Sequence, residues 1–167
     1  MYYKFYQIRQ WLPKKQLFVV YKSLVESVLG YCISSWGGVL PTVSLPLNVA
    51  QRKVLKIIMF KNNRYSTEQL FIESTVLRVV QLYIKSIIRL LLNRKILINH
   101  VQHNIVTRNV LANNATTSYV TYSASQRPSY FNGPKIYNML PTTLRTVEYR
   151  KAKGKIDNWL IVNNITI

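Results

Sequence analysis

The sequence predicts a mainly α-helical protein, a bundle of four to six helices with a long irregular loop region in its C-terminal half. Three observations predict it. Apolar residues recur every three or four positions in successive windows, the period of a helix with one buried face. Proline, glycine, serine and threonine stand at the ends of those windows, where helices start and stop. Between residues 99 and 131 the periodicity gives way to Asn, Thr, Ser and Tyr, the composition of a loop with short strand-like pieces.

Residues 2–11 carry Tyr2, Tyr3, Phe5, Tyr6, Ile8 and Trp11 around Lys4 and Arg9, a pattern suited to a helix. Pro13 supplies a turn and a helix start, since proline is tolerated in a first turn. The first long helix is expected at about residues 14–31. Leu17, Tyr21, Leu24, Val28 and Tyr31 form its apolar stripe, and Lys22 and Glu26 lie four apart on another face. Trp36-Gly37-Gly38 ends the run, glycine readily adopting the positive φ that a reversal needs. Cys32, beside the stripe, reads as a small buried apolar residue.

Residues 41–46 read as a loop between two prolines. A second helix follows at about residues 47–61, with Leu47, Ala50, Val54 and Ile58 inward and Arg52, Lys53 and Lys56 sharing a face. No acid intervenes between Leu47 and Arg64. A helix greasy on one side and basic on the other can pack and grip phosphates at once; a solvated lysine face is the plainer reading. Ser66 or Thr67 caps a short helix in which Glu68 complements the positive end of the dipole. Residues 76–92 form the most hydrophobic helix. Val79, Val80, Tyr83, Ile84, Ile87, Leu90 and Leu91 cover one arc, and Arg78, Lys85 and Arg89 line up along a narrow opposite stripe on which Leu82 and Leu92 intrude. Asn132-Gly133-Pro134 reads as a turn, with helical turns at residues 135–140 stopped by Pro141. A last helix at about residues 148–162 docks through Ile156, Trp159 and Leu160 and turns Arg150, Lys151, Lys153 and Lys155 outward.

Charge separates the functional classes. The chain of 167 residues has 23 Lys plus Arg against 5 Asp plus Glu, a formal net charge of +18. Such a fold repels itself unless a polyanion or partner compensates. Nucleic acid is the leading counterpart and an anionic membrane surface the second. Two-metal phosphoryl-transfer sites need converging carboxylates. Here Asp157 is the single aspartate, and Glu26, Glu68, Glu73 and Glu148 are scattered. A polymerase or nuclease centre contained wholly in this chain is therefore not expected. One cysteine rules out a disulfide or a Cys-based zinc site within one chain. His100 and His103 lack a neighbouring third ligand. Residues 27–51 are uncharged but broken by Gly30, Gly37, Gly38, Pro41 and Pro46, so no membrane span is expected. Nothing resembles a signal peptide, and the chain does not read as secreted.

Several stretches stand in a recognisable order. Leu12-Pro13 precedes Tyr21-Lys22-Ser23-Leu24-Val25-Glu26-Ser27, Gly30-Tyr31 and Trp36-Gly37-Gly38. Gln51-Arg52-Lys53 follows, then Ser66-Thr67-Glu68 with Leu70-Phe71, then His103 with Thr107-Arg108. Gly133-Pro134-Lys135-Ile136-Tyr137-Asn138-Met139-Leu140-Pro141 is similar to a GPKxxNxLP signature, and Asn158-Trp159-Leu160 to a terminal basic helix. Together these resemble the thumb and post-thumb region of a non-LTR (LINE-type, jockey/CR1-like) retrotransposon reverse transcriptase, over nearly the whole chain. Three positions depart from the pattern: Ile105 stands where Tyr is often found, and Ala152 and Gly154 interrupt the last helix.

The resemblance implies a piece of an RNA-directed DNA polymerase without its catalytic palm, since no Ala-Asp-Asp occurs here. No activity is then expected of the chain alone and no cofactor in it, Mg2+ belonging to the palm. Residues 1–98 would be a thumb-like helical domain, 99–131 a polar loop region, and 132–167 a helical segment on the same core. The partner would be an RNA template or RNA–DNA duplex, with an upstream polymerase palm as a second partner, in nucleus or cytoplasm. Arg52, Lys53, Lys56, Arg78, Lys85, Arg89, Lys151, Lys153 and Lys155 would contact phosphates. Tyr119, Tyr122 and Tyr130 would offer stacking faces to bases. A protein-docking or structural module, built on the aromatic residues 2–11, is the alternative, as is a translated retroelement remnant without selected function. An autonomous polymerase fits least.

Overall fold

Leu17, Tyr21, Val25 and Leu29 are all buried, each four residues after the last. In the computed structural model, which describes residues 2–39, 41–94, 114–116, 129–163 and 165 (backbone alone for 41, 94, 129 and 130), they lie on a continuous helical run. It consists of α2 (Lys14–Tyr21), a π-helical turn (Lys22–Glu26) and α3 (Ser27–Gly30). Residues four apart drift by about 40° per step around a straight α-helix. The wider π-turn absorbs that drift and returns Val25 and Leu29 to the buried line. Leu24, Val28 and Tyr31, expected inward, are consequently exposed.

Ahead of this run, α1 (Tyr2–Ile8) buries Phe5 and packs along α5 (Pro41–Ile58). After it, α4 (Ile33–Trp36) closes the corner, where the Trp36 indole N–H donates to the Tyr31 carbonyl at 2.8 Å. Gly37 does not supply a positive φ; its φ is −68°. Glycine is needed there for closeness, because a Cβ would sit 2.5 Å from Tyr83 Cδ2 and 2.6 Å from the Ile33 carbonyl oxygen. The left-handed residue is Cys32, at φ 48°, and its side chain is exposed rather than buried.

The expected loop at residues 41–46 is the first part of α5. Pro41 suits a first turn. Pro46 lies inside and withholds one backbone hydrogen bond, but it faces solvent and the helix runs on. Buried Gln51 ties the layers together, its Nε2 donating to Tyr21 Oη at 2.9 Å and to the Leu77 carbonyl at 2.8 Å. Helix α6 (Thr67–Ser74) follows Ser66, whose side chain makes no capping bond. Central to the core is α7 (Val79–Arg94), which buries Val79, Leu82, Tyr83, Ile84, Ile87, Ile88 and Leu91. It begins at Val79 rather than Val76, with the Arg78 N–H donating to Gln81 Oε1 at 3.0 Å as its cap.

Asn132-Gly133-Pro134 is not a turn. It lies buried inside α8 (Ser129–Met139), where Phe131, Ile136 and Tyr137 are also buried. The Asn132 amide donates to Tyr83 Oη at 3.3 Å. Asn138 then exchanges two hydrogen bonds with the backbone of Ala115, at 2.8 and 3.0 Å. From α9 (Thr142–Arg145), the Arg145 guanidinium donates to the carbonyls of Leu140 and Asn138 and to Asn114 Oδ1, at 2.9, 2.7 and 3.0 Å. Asn138 and Arg145 thus staple residues 114–116 to this part of the fold. Last, α10 (Tyr149–Val162) buries Tyr149, Ala152, Ile156 and Leu160 against the core. Ala152 is fully buried, and this explains why no longer side chain continues the basic pattern there. One hydrophobic cluster runs from Phe5 through α7 to Leu160. Among the described residues no helix is long and apolar enough to cross a membrane.

Candidate nucleic-acid interface

Helices α7 and α10 lie antiparallel, and two bonds fix their register. The Gln81 amide donates to the Leu160 carbonyl at 2.8 Å. One turn along α7, Lys85 Nζ lies 2.7 and 2.9 Å from the two carboxylate oxygens of Asp157. Continuing by helical turns brings Arg89 and Asn93 opposite Lys153, Arg150 and Tyr149. These residues and Lys85 line an open groove of about 430 Å³. Of the two leucines that interrupt the α7 stripe, Leu82 is buried and Leu92 is partly buried against the core.

The α10 sequence aims its cations there by periodicity. Arg150, Lys153 and Asp157 recur at three and four residues, along one flank of the buried line Tyr149, Ala152, Ile156 and Leu160. Lys151 and Lys155 fall about 100° or more further round and are exposed away from the groove. Asp157 is half-buried and occupied by Lys85, so Arg89, Arg150 and Lys153 are left without an acid in the groove. Three adjacent cations flanked by the Asn93 amide and the Tyr149 hydroxyl make a concave anion site. The Tyr149 hydroxyl is pushed up from its usual pKa by burial and by Asp157, with Arg89 pulling the other way, so it is a neutral donor at pH 7.

The nine residues that the sequence nominates do not form one track. Lys85, Arg89 and Lys153 meet in the α7–α10 groove. Arg52 and Arg78 meet in a separate cleft of about 220 Å³ at the other end of α7. Lys53 is exposed and stands 5.4 Å from the centre of the Tyr2 ring. Lys56 does not share an outer face with Arg52 and Lys53. It is 8% exposed and its Nζ donates to the Asn63 carbonyl at 2.6 Å, closing the turn after α5. Burial, and then the charge of Arg52, lower its pKa. Lys151 and Lys155 face solvent on the far side of α10. The stacking candidates Tyr119 and Tyr122, and the side chain of Tyr130, lie outside the described residues, as do His100 and His103.

Arg150, Asn93 and Tyr149 complete the groove and were not among the nominated residues. The three- and four-residue spacing of Arg150, Lys153 and Asp157 is the signal in the sequence that separates them from Lys151 and Lys155. Among the described residues, no three of His, Cys, Asp and Glu converge to hold a metal ion. Comparison with protein-family models, curated proteins and solved structures finds no match to this chain.

Proposed function

We propose that this chain grips a polynucleotide by its phosphates in the α7–α10 groove, without reading base sequence. The observation that carries this is the convergence of Arg89, Arg150 and Lys153, drawn from helices about sixty residues apart in the chain, on one concave surface lacking a free acid. Folding concentrates charge that would otherwise repel, and an anion with regularly spaced charges relieves it. The groove holds donors but no group fit to break or make a phosphodiester. On this reading the bond-making machinery, with its Mg2+, belongs to a separate palm, in keeping with the reverse-transcriptase thumb that the sequence resembles. The test is fluorescence anisotropy on an RNA–DNA duplex across a salt series. Binding should weaken linearly in log–log form; an isotherm indifferent to salt overturns the reading.

A second reading has its own observation. Tyr3, Trp11, Leu24, Val28 and Tyr31 are all more than half exposed, and α1 with α2 and the π-turn frames an apolar groove of about 420 Å³ lined by Lys4, Phe5, Ile8, Val20 and Leu24. Surfaces of this kind serve protein docking. Sedimentation tests it: a clean monomer at high concentration counts against a sticky orphaned surface.

A further inference from the structure

The cleft at the opposite end of α7 differs in chemistry from the groove. Arg52 and Arg78 reach it from α5 and from the residue ahead of α7, and no carboxylate lines it. Its other walls are largely apolar, with Leu45, Val49 and Ile165 among them. The Arg78 guanidinium lies over the Phe71 ring, 5.1 Å from its centre. Phe71 is itself buried, and ring and guanidinium both border the cleft. A planar cation held in this way is a stacking platform for a base. Among the described residues, Arg52 is restrained only by a long 3.4 Å contact from Nη1 to Thr67 Oγ1, which leaves most of its five donors for a phosphate. Asn48 stands on the same wall, with an amide suited to a base edge.

We propose that this cleft takes an unpaired nucleotide of a bound strand, with the base against the Arg78 guanidinium and its phosphate on Arg52. The inference rests on the polynucleotide reading of the α7–α10 groove and adds a second, different subsite to it. Arg78 and Arg89 are eleven residues apart along α7, a span of about 16 Å, so one strand can reach both. A bare phosphate would leave the apolar walls unused, and a blunt duplex offers the cleft no free base face.

The experiment compares a blunt RNA–DNA duplex with the same duplex carrying a short single-stranded overhang. Anisotropy is read for the intact chain, for Arg52→Ala with Arg78→Ala, and for Arg89→Ala with Lys153→Ala. Stacking of one base is worth about fivefold in affinity or more, so the overhang should bind at least that much tighter to the intact chain. The ratio should fall to one in the Arg52/Arg78 variant. In the Arg89/Lys153 variant both affinities should drop together and the ratio should survive. Arg78→Lys keeps the charge, removes the plane and guards against a folding defect; it too should lose the ratio. Uridine monophosphate should abolish the overhang advantage at concentrations where inorganic phosphate does not. Equal binding of both duplexes by the intact chain, a ratio that persists without Arg78, or phosphate competing as well as the nucleotide overturns the inference while leaving the groove reading intact. No binding of either duplex overturns both.

Discussion

Removing Arg89 and Lys153 together tests whether position or total charge governs binding. Three groove cations, Arg89, Arg150 and Lys153, are free of acids, whereas Lys85 is held by Asp157 at 2.7 Å. Three phosphate contacts give a log–log salt slope of about −2.7 on a duplex, and a fourfold rise from 50 to 200 mM then weakens binding roughly 40-fold. With Arg89→Ala and Lys153→Ala one contact remains, the slope shrinks to about −0.9, and the same salt step costs only about fourfold. Lys151→Ala with Lys155→Ala removes the same amount of charge, both from α10 but from the side facing away from the groove, and its slope should stay near that of the intact chain. All four side chains are exposed or at the groove surface, so circular dichroism and thermal melts should match across the set. Anisotropy at five salt concentrations supplies the slopes. Equal losses in the two double variants would show that diffuse charge does the binding and would refute the groove.

Asp157→Asn should release Lys85 to the groove, tightening duplex binding and steepening the slope by about 0.9, while the loss of a partly exposed ion pair costs at most about 1 kcal/mol in a urea titration. Gly37→Ala should destabilise by about 1–3 kcal/mol, since the new methyl meets Tyr83 Cδ2 at 2.5 Å and the Ile33 carbonyl at 2.6 Å; each kcal/mol lowers Tm by roughly 2–4 °C, and an unchanged melt contradicts the close approach. Burial pushes the Tyr21 hydroxyl up to about 12, with the Gln51 hydrogen bond opposing and Glu26 adding to the rise, and burial raises Tyr83 and Tyr149 as well. Because an unfolded tyrosine ionises at about 10, this stability is complete below pH 10 and is lost as pH climbs toward 12, with Tyr21 alone accounting for about 2–3 kcal/mol. Urea midpoints between pH 8 and 11.5, with Tyr21→Phe as the comparison, measure it; midpoints flat over that range refute it.

Helix content and the identity of the core helices were legible because apolar spacing reports burial directly. Val54, Ile58, Val79, Tyr83, Ile84, Ile87, Ile156 and Leu160 are buried as their periodicity implies. Registers were less legible. The π-turn at Lys22–Glu26 exchanges Leu24 and Val28 for Val25 and Leu29, and no residue type announces such a turn. Proline misled twice, because Pro46 and Pro134 cost one hydrogen bond each, a loss that packing of α5 and α8 outweighs. The staple made by Asn138 and Arg145 pairs residues more than twenty positions apart, beyond the reach of local pattern.

The candidate site was half legible. Arg78, Lys85 and Arg89 share a stripe, but which stretch of α10 faces it depends on the antiparallel register set by Gln81 and Asp157. Lys56 shows the limit of reading charge by spacing alone. Its stem is packed in the core and its ammonium finds a backbone carbonyl, so a cation at a helix end became a turn anchor. Gln51, Asn132 and Asn138, three polar residues in or beside the helices, all make bonds that hold the fold together.

Lysine acylation footprinting, read residue by residue by mass spectrometry with and without an RNA–DNA duplex, tests the groove most directly. Lys151, Lys153 and Lys155 are exposed on one helix and serve as controls for each other. Protection of Lys153 alone, with Lys151 and Lys155 labelled at their unbound rates, is the predicted result. Equal protection of all three, or of none, would contradict a polynucleotide seated between α7 and α10.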